Sequence, residues 1–240
     1  MAKKDLLAVY ENSIDNLFAE VCRRDKDHFK KSLSWPRESV DVLNTNGSTV
    51  TMSIANPTPM MEMTQAFATV ANLEKCINDK EIPKRVSTPL MLMKTFHLLE
   101  ADIWQTMLGN LFKLIINEEP EEILFRGWTL SDKMCKMNSF IKVCERKIKL
   151  SMFGHYREIC NEAIVGLRNA FSHSGYCVTP KGGNEGDISI TKYWIGRRPK
   201  NPPKQYFAFS EIEEIFQRTL TFLTAFTFMR KNVLESFPNA

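Results

Sequence analysis

Residues 158–176 read EICNEAIVGLRNAFSHSGY, and this stretch sets both the fold class and the direction of the functional argument. Ile159, Ala163, Ile164 and Leu167 recur at helical spacing, and Ala170 and Phe171 extend the same apolar face. Gly175 fits the position just past a helix C-terminus, where a left-handed residue closes the last turn. The spacing therefore predicts one amphipathic helix over about residues 154–174. Arg168, Asn169 and His173 fall in its last two turns. Asn169 and His173 are four apart and so neighbours on one face. Arg168 sits about 100° round from Asn169, with a side chain long enough to swing toward the same space.

The surroundings read as helices too. Leu6, Leu7, Tyr10, Ile14, Leu17, Phe18 and Val21 predict a first helix over 4–32, stopped at Trp35-Pro36. Further helices are predicted over about 60–80, from Leu90 to Ile116, over about 130–150, and finally from Ser210 to Leu234. Two segments alternate instead. Val40 and Val42, then Asn46-Gly47, then Val50, Met52 and Ile54 predict a hairpin over about 39–54. DISITKYWI and KQYFAF, joined by the proline-rich basic GRRPKNPP, predict a second over about 187–209. The expected architecture is mainly α: one domain over 1–240, a helical-bundle core with two short β-hairpin insertions.

Composition agrees with a folded chain. Of 240 residues, 43% are hydrophobic and 25% charged, with 10 Gly and 11 Pro, which excludes low-complexity and collagen-like classes. No stretch approaches the roughly 18 apolar residues of a membrane span, and the N-terminus MAKKDLLAVYENSIDN turns polar where a signal peptide is apolar. A cytoplasmic protein with no membrane contact is expected. Cys22, Cys76, Cys135, Cys144, Cys160 and Cys177 form no C-x-x-C pair, and His28, His97, His155 and His173 are scattered. The six thiols are expected reduced, with no metal site and no cofactor.

The net charge of +4 is unevenly spread. Residues 133–157 carry Lys133, Lys136, Lys142, Arg146, Lys147, Lys149 and Arg157 against Glu145 alone. Residues 181–208 carry six basic side chains, Arg197, Arg198 and Lys200 among them, against Glu185 and Asp187. The remainder is net acidic. Two basic segments on an acidic background suggest a surface facing a polyanion. Arg146, Lys147, Lys149, Arg197, Arg198 and Lys200 are the candidate RNA phosphate contacts, with Tyr193, Trp194, Tyr206 and Phe207 available to stack on bases. A solvated helix face and a hairpin with core-facing aromatics would leave the same pattern.

Arg, Asn and His together suit one chemistry. Histidine exchanges protons near neutral pH, and arginine presents a planar fork of donors to a phosphate while staying charged. A His taking the proton of a ribose 2′-OH lets that oxygen attack the adjacent phosphorus, and Arg stabilises the crowded anionic phosphorane. The products would be a 2′,3′-cyclic phosphate and a 5′-hydroxyl. Such cleavage needs a base and also an acid, yet the motif offers one His. Two copies across a two-fold axis would supply both, so a homodimer with residues near 165–175 at its interface is expected. His155, thirteen residues before Arg168 on what reads as the same helix, would lie about 20 Å away.

Arg168-Asn169-Ala170-Phe171-Ser172-His173 resembles the R-x4-6-H signature of the HEPN superfamily, in its form with Asn directly after Arg. The helical surroundings, with the motif late in the chain and one helix after it, are similar to that family. The resemblance implies a helical-bundle core, a dimer, and metal-independent endoribonuclease activity with Arg168, Asn169 and His173 as catalytic residues. It also implies a place in toxin–antitoxin or antiphage-defence systems, and hence an antitoxin or defence-system partner. One feature departs from the pattern. HEPN toxins paired with a nucleotidyltransferase carry a Tyr two residues after the His, whereas Tyr176 comes three after. No G-x-x-x-x-G-K-[ST], G-x-S-x-G or dinucleotide-binding loop competes. Two other readings stand beside the enzyme: a non-catalytic HEPN-like module binding RNA, a nucleotide or a protein, and a helical scaffold dimer.

Overall fold

The computed structural model describes residues 3–33, 37–43, 49–55, 68, 102–121, 124, 127–148, 153–172, 176–181, 184–191 and 204–236. The predicted helix over about 60–80, the first part of the one from Leu90, and the GRRPKNPP loop lie outside the described residues, residue 68 excepted.

The fold is mainly α. Helices α1 (Lys3–Arg24) and α2 (Lys26–Leu33) replace the single helix expected over 4–32. The break is Asp25, whose carboxylate accepts the amide of His28 at 3.0 Å and so caps α2. After α3 (Asp102–Ile116) the chain turns back on itself. Asn110 holds that turn by a two-way pairing with Glu121, whose amide donates to Asn110 Oδ1 at 3.0 Å and whose carbonyl accepts from Nδ2 at 2.6 Å. Helix α4 (Leu130–Lys147) starts at a reciprocal cap, in which Thr129 and Asp132 exchange side-chain and backbone hydrogen bonds. The remaining helices are α5 (Phe153–Ile159), α6 (Glu162–Ser172) and the 28-residue α7 (Phe209–Ser236).

Strands β1 (Arg37–Leu43) and β2 (Thr49–Ala55) pair antiparallel, Val40 opposite Met52 and Val42 opposite Val50. Strands β3 (Tyr176–Lys181), β4 (Asn184–Thr191) and β5 (Lys204–Phe207) form an antiparallel sheet in chain order, with Ile188 facing Val178 on one side and Phe207 on the other. β3 is an addition to what the sequence predicts. Residues 176–181 continue directly from the motif segment, and their Pro180 argues against an interior strand. The register slips between Thr179 and Lys181, where the proline falls.

The core forms where α1, α3, α4 and α7 meet. Along α1, Tyr10, Ile14, Leu17, Phe18 and Val21 are all buried, and α7 faces them with Phe222 and Phe226. Edge-on aromatic contacts join the two, Tyr10 to Phe222 at 5.4 Å and Phe18 to Phe226 at 6.0 Å between centroids. Helix α3 is buried nearly all round from Trp104 to Ile115, the polar Gln105, Thr106, Asn110 and Lys113 included, because α1, α2 and α4 all pack on it. Two cations close its C-terminus: Arg24 donates to the Ile115 carbonyl at 3.0 Å and Lys147 to the Ile116 carbonyl at 3.1 Å. No described helix is long and apolar enough to cross a membrane.

Candidate functional site

The segment expected to form one helix over about 154–174 is two helices. α5 ends at Ile159, with the Cys160 amide bonded to the Tyr156 carbonyl at 2.8 Å, and α6 begins at Glu162. Asn161 causes the break. Its Oδ1 accepts the amides of Ala163 and Ile164, both at 3.0 Å, so the side chain takes over as the N-cap of α6. Its Nδ2 donates to the Arg157 carbonyl at 3.1 Å, an orphan acceptor in the last turn of α5. The 20 Å separation of His155 from Arg168 assumed a continuous helix and does not apply.

Helix α6 buries Ile164, Leu167 and Ala170 of the predicted apolar face, with Ala163 partly buried, and adds Val165 to it. Arg168 and Asn169 lie half-buried at the edge of that face. The structure brings these two candidates together: Arg168 Nη1 donates to Asn169 Oδ1 at 3.1 Å. With the amide oxygen accepting from Arg168, the NH2 group is the remaining donor of the Asn169 side chain. His173 and Gly175 follow α6 and lie outside the described residues, as do Lys149, Arg197, Arg198 and Lys200.

The basic segment on α4 sorts by environment. Lys133 is buried, Lys136 sits 4.9 Å over the Phe140 ring, and Arg157 pairs with Glu145 at 3.2 Å. Lys147 caps α3. Arg146 is exposed and bonds the Lys142 carbonyl of its own helix at 3.3 Å. Lys142 is exposed one turn before it, so these two share one solvent-facing stripe.

A polar cluster unmarked by the sequence motif holds α5 in place. Glu158 Oε2 lies 3.0 Å from Arg218 Nη1 on α7, 3.4 Å from the Tyr10 hydroxyl on α1, and 3.5 Å from His155 Nδ1. His155 Nε2 meets Ser13 Oγ at 3.1 Å, and its ring stands edge-on to Tyr10 with centroids 4.9 Å apart. Burial and the neighbouring Glu158 charge push the Tyr10 phenol up to about 12. Arg218 in turn is held more firmly protonated by its bond to Glu214, at 2.7 Å.

No protein-family model, curated protein or solved structure matches the chain.

A cavity of about 450 Å³ opens between α1 and α7, bounded by Leu6, Glu213, Glu214, Gln217 and Arg218; among the described residues none of its wall comes from α6. Cys144 and Cys160 are buried thiols whose pKa burial raises to about 12, and Cys22, Cys135, Cys144 and Cys160 are unbridged. Among the described residues no group of His, Cys, Asp or Glu is arranged to hold a metal.

Proposed function

We propose that the chain is a HEPN-type endoribonuclease, a toxin or antiphage-defence effector that cleaves RNA through the ribose 2′-OH without a metal. The observation that carries this reading is the Arg168–Asn169 pair, bonded side chain to side chain at 3.1 Å on the rim of a capped amphipathic helix, five and four residues before His173. Arginine's planar fork of donors suits a phosphate, and the bond to Asn169 keeps an amide beside it.

In this reading His173 of one protomer takes the 2′-OH proton and His173 of the second gives a proton to the leaving 5′-oxygen. The arginines stabilise the phosphorane between them. His and Arg supply the proton transfers and the charge, so no cofactor is invoked. DNA lacks the nucleophile and is not cut. The helices form the HEPN-like core, and the two β segments are insertions on it. Lys142 and Arg146 guide the RNA backbone electrostatically, joined by Lys149, Arg197, Arg198 and Lys200. A cytoplasmic homodimer restrained by an antitoxin or defence-system partner completes the reading.

The test is cleavage of total RNA and of a tRNA pool in EDTA. Wild type is expected to cut, His173→Ala to be inactive and Arg168→Ala nearly so, both folded by circular dichroism. Full cleavage by the His173→Ala protein removes the assignment. RNA affinity without cleavage by wild type favours the non-catalytic binding module instead.

A further inference from the structure

We propose that Asn161 is a positioning residue for this cleavage: its side chain clips the motif helix α6 to α5 and so aims Arg168. The inference rests on the endoribonuclease reading and adds to it a determinant outside the R-N-x3-H motif.

One amide group serves both helices. Through Oδ1 it caps α6 at Ala163 and Ile164, and through Nδ2 it satisfies the Arg157 carbonyl of α5. Neither bond alone would set an angle. Together they fix the direction in which α6 leaves α5, because the planar amide cannot turn without breaking one of them.

The α5 side of the clip is itself anchored. Glu158 ties α5 to α1 through Tyr10 and to α7 through Arg218, while His155 reaches Ser13. Tyr156 and Ile159 are buried at 1% and 0% exposure, so α5 has little room to move. Helix α6, 11 residues long, is packed along a single face.

The lever arm is what gives the clip its weight. Arg168 stands seven residues beyond Asn161, about 10 Å along the axis. A tilt of about 10° at the joint then moves the guanidinium base by about 2 Å. Misplacement of about 1 Å at a reacting centre is enough for a loss of about 100-fold.

Asn161→Asp separates the two jobs. Aspartate caps a helix as well as asparagine and its charge suits the N-terminus of α6, so that helix is retained. It places an acceptor where a donor faced the Arg157 carbonyl, so the tie to α5 is lost. The expected result is a fall in kcat of about 10- to 100-fold with KM within about twofold, at unchanged helicity. Nitrogen-15 spectra of the full-length protein should show the Arg168 Nε–H resonance shifted or broadened. Asn161→Ser, which caps through Oγ but has no second arm, should behave the same way and guards against a folding defect peculiar to Asp. Glu162→Gln, next in the chain, should match wild type. Wild-type kcat together with an unmoved Arg168 resonance in both Asn161 variants overturns the clip. If wild type itself cuts no RNA, the endoribonuclease reading fails, and the Arg168 resonance still decides the positioning claim.

Discussion

Lys147 and Arg146 are adjacent on α4, and substituting each alone separates a cation that holds the fold from one that faces solvent. Lys147 Nζ lies 3.1 Å from the carbonyl of Ile116, the last residue of α3, where the negative end of the helix dipole collects. An exposed charge there contributes about 0.3–1 kcal/mol, and the direct hydrogen bond places Lys147 at the upper end, about 1 kcal/mol. Lys147→Met keeps the aliphatic stem and removes only the ammonium. For a chain of this size that corresponds to a drop in Tm of about 2–4 °C. Among the described residues Arg146 bonds a carbonyl of its own helix, at 3.3 Å and in solvent, so Arg146→Gln should change stability by no more than about 0.5 kcal/mol. RNA binding should show the opposite order. Arg146→Gln removes one phosphate contact, lowering the slope of log affinity against log salt by about 0.7 for single-stranded RNA, and Lys147→Met leaves the slope alone. Thermal unfolding by circular dichroism and filter binding across a salt series measure the two effects. A flattened salt slope for Lys147→Met with unchanged Tm would refute the division.

Other consequences are as specific. Asn110→Ala strands the amide and carbonyl of Glu121 and should cost about 2–3 kcal/mol in guanidinium unfolding, since Asn110 is 5% exposed and makes both bonds; a loss below about 1 kcal/mol would show that the turn stands without it. Iodoacetamide should modify the exposed Cys135 in the native protein while Cys144 and Cys160, whose burial holds them as thiols, react only at the rate of unfolding; peptide mapping of equal labelling would contradict that. The His28 hydrogen bond holds the Asp25 carboxyl below the ordinary aspartate range. Its contribution is therefore complete above the unfolded value, about pH 4, and lost as pH falls through the folded one. Asp25→Asn should lower the neutral plateau slightly and flatten the acid limb of the stability curve below about pH 4, so that the two proteins converge in acid.

The parts of the fold that follow from local periodicity were legible. The apolar spacing of Tyr10 to Val21, the α4 pattern and the final helix needed only the 3.6-residue repeat to be recognised. Both helix breaks were missed for one reason. Asp25 and Asn161 interrupt otherwise continuous patterns, and a short polar side chain that turns back to cap the next helix leaves the apolar spacing on either side intact. The signal at Asn161 was present as Asn-Glu before an apolar run, a start signature placed where the pattern reads as a helix interior. Strand β3 was masked by its proline and by the motif segment running into it. In the candidate site, Arg168 and Asn169 were legible because their chemistry is local. The Glu158 cluster was not, since Tyr10 and Ser13 lie more than 140 residues from their partners. The basic segment on α4 was legible as charge alone. Only the structure separates the buried Lys133, and the exposed Lys147 whose ammonium bonds the end of α3, from Lys142 and Arg146 on the solvent-facing stripe.

The central claim is that the ribose 2′-OH is the nucleophile and that Arg168 and His173 drive its attack. The most direct measurement uses one RNA oligonucleotide carrying the preferred cleavage site, and its twin with a single 2′-deoxy substitution at that position, both incubated with the protein in EDTA. The account predicts a 2′,3′-cyclic phosphate and a 5′-hydroxyl from the first and no cut at that position in the second. Cleavage of the 2′-deoxy twin at the same bond, or a 5′-phosphate product, would contradict it.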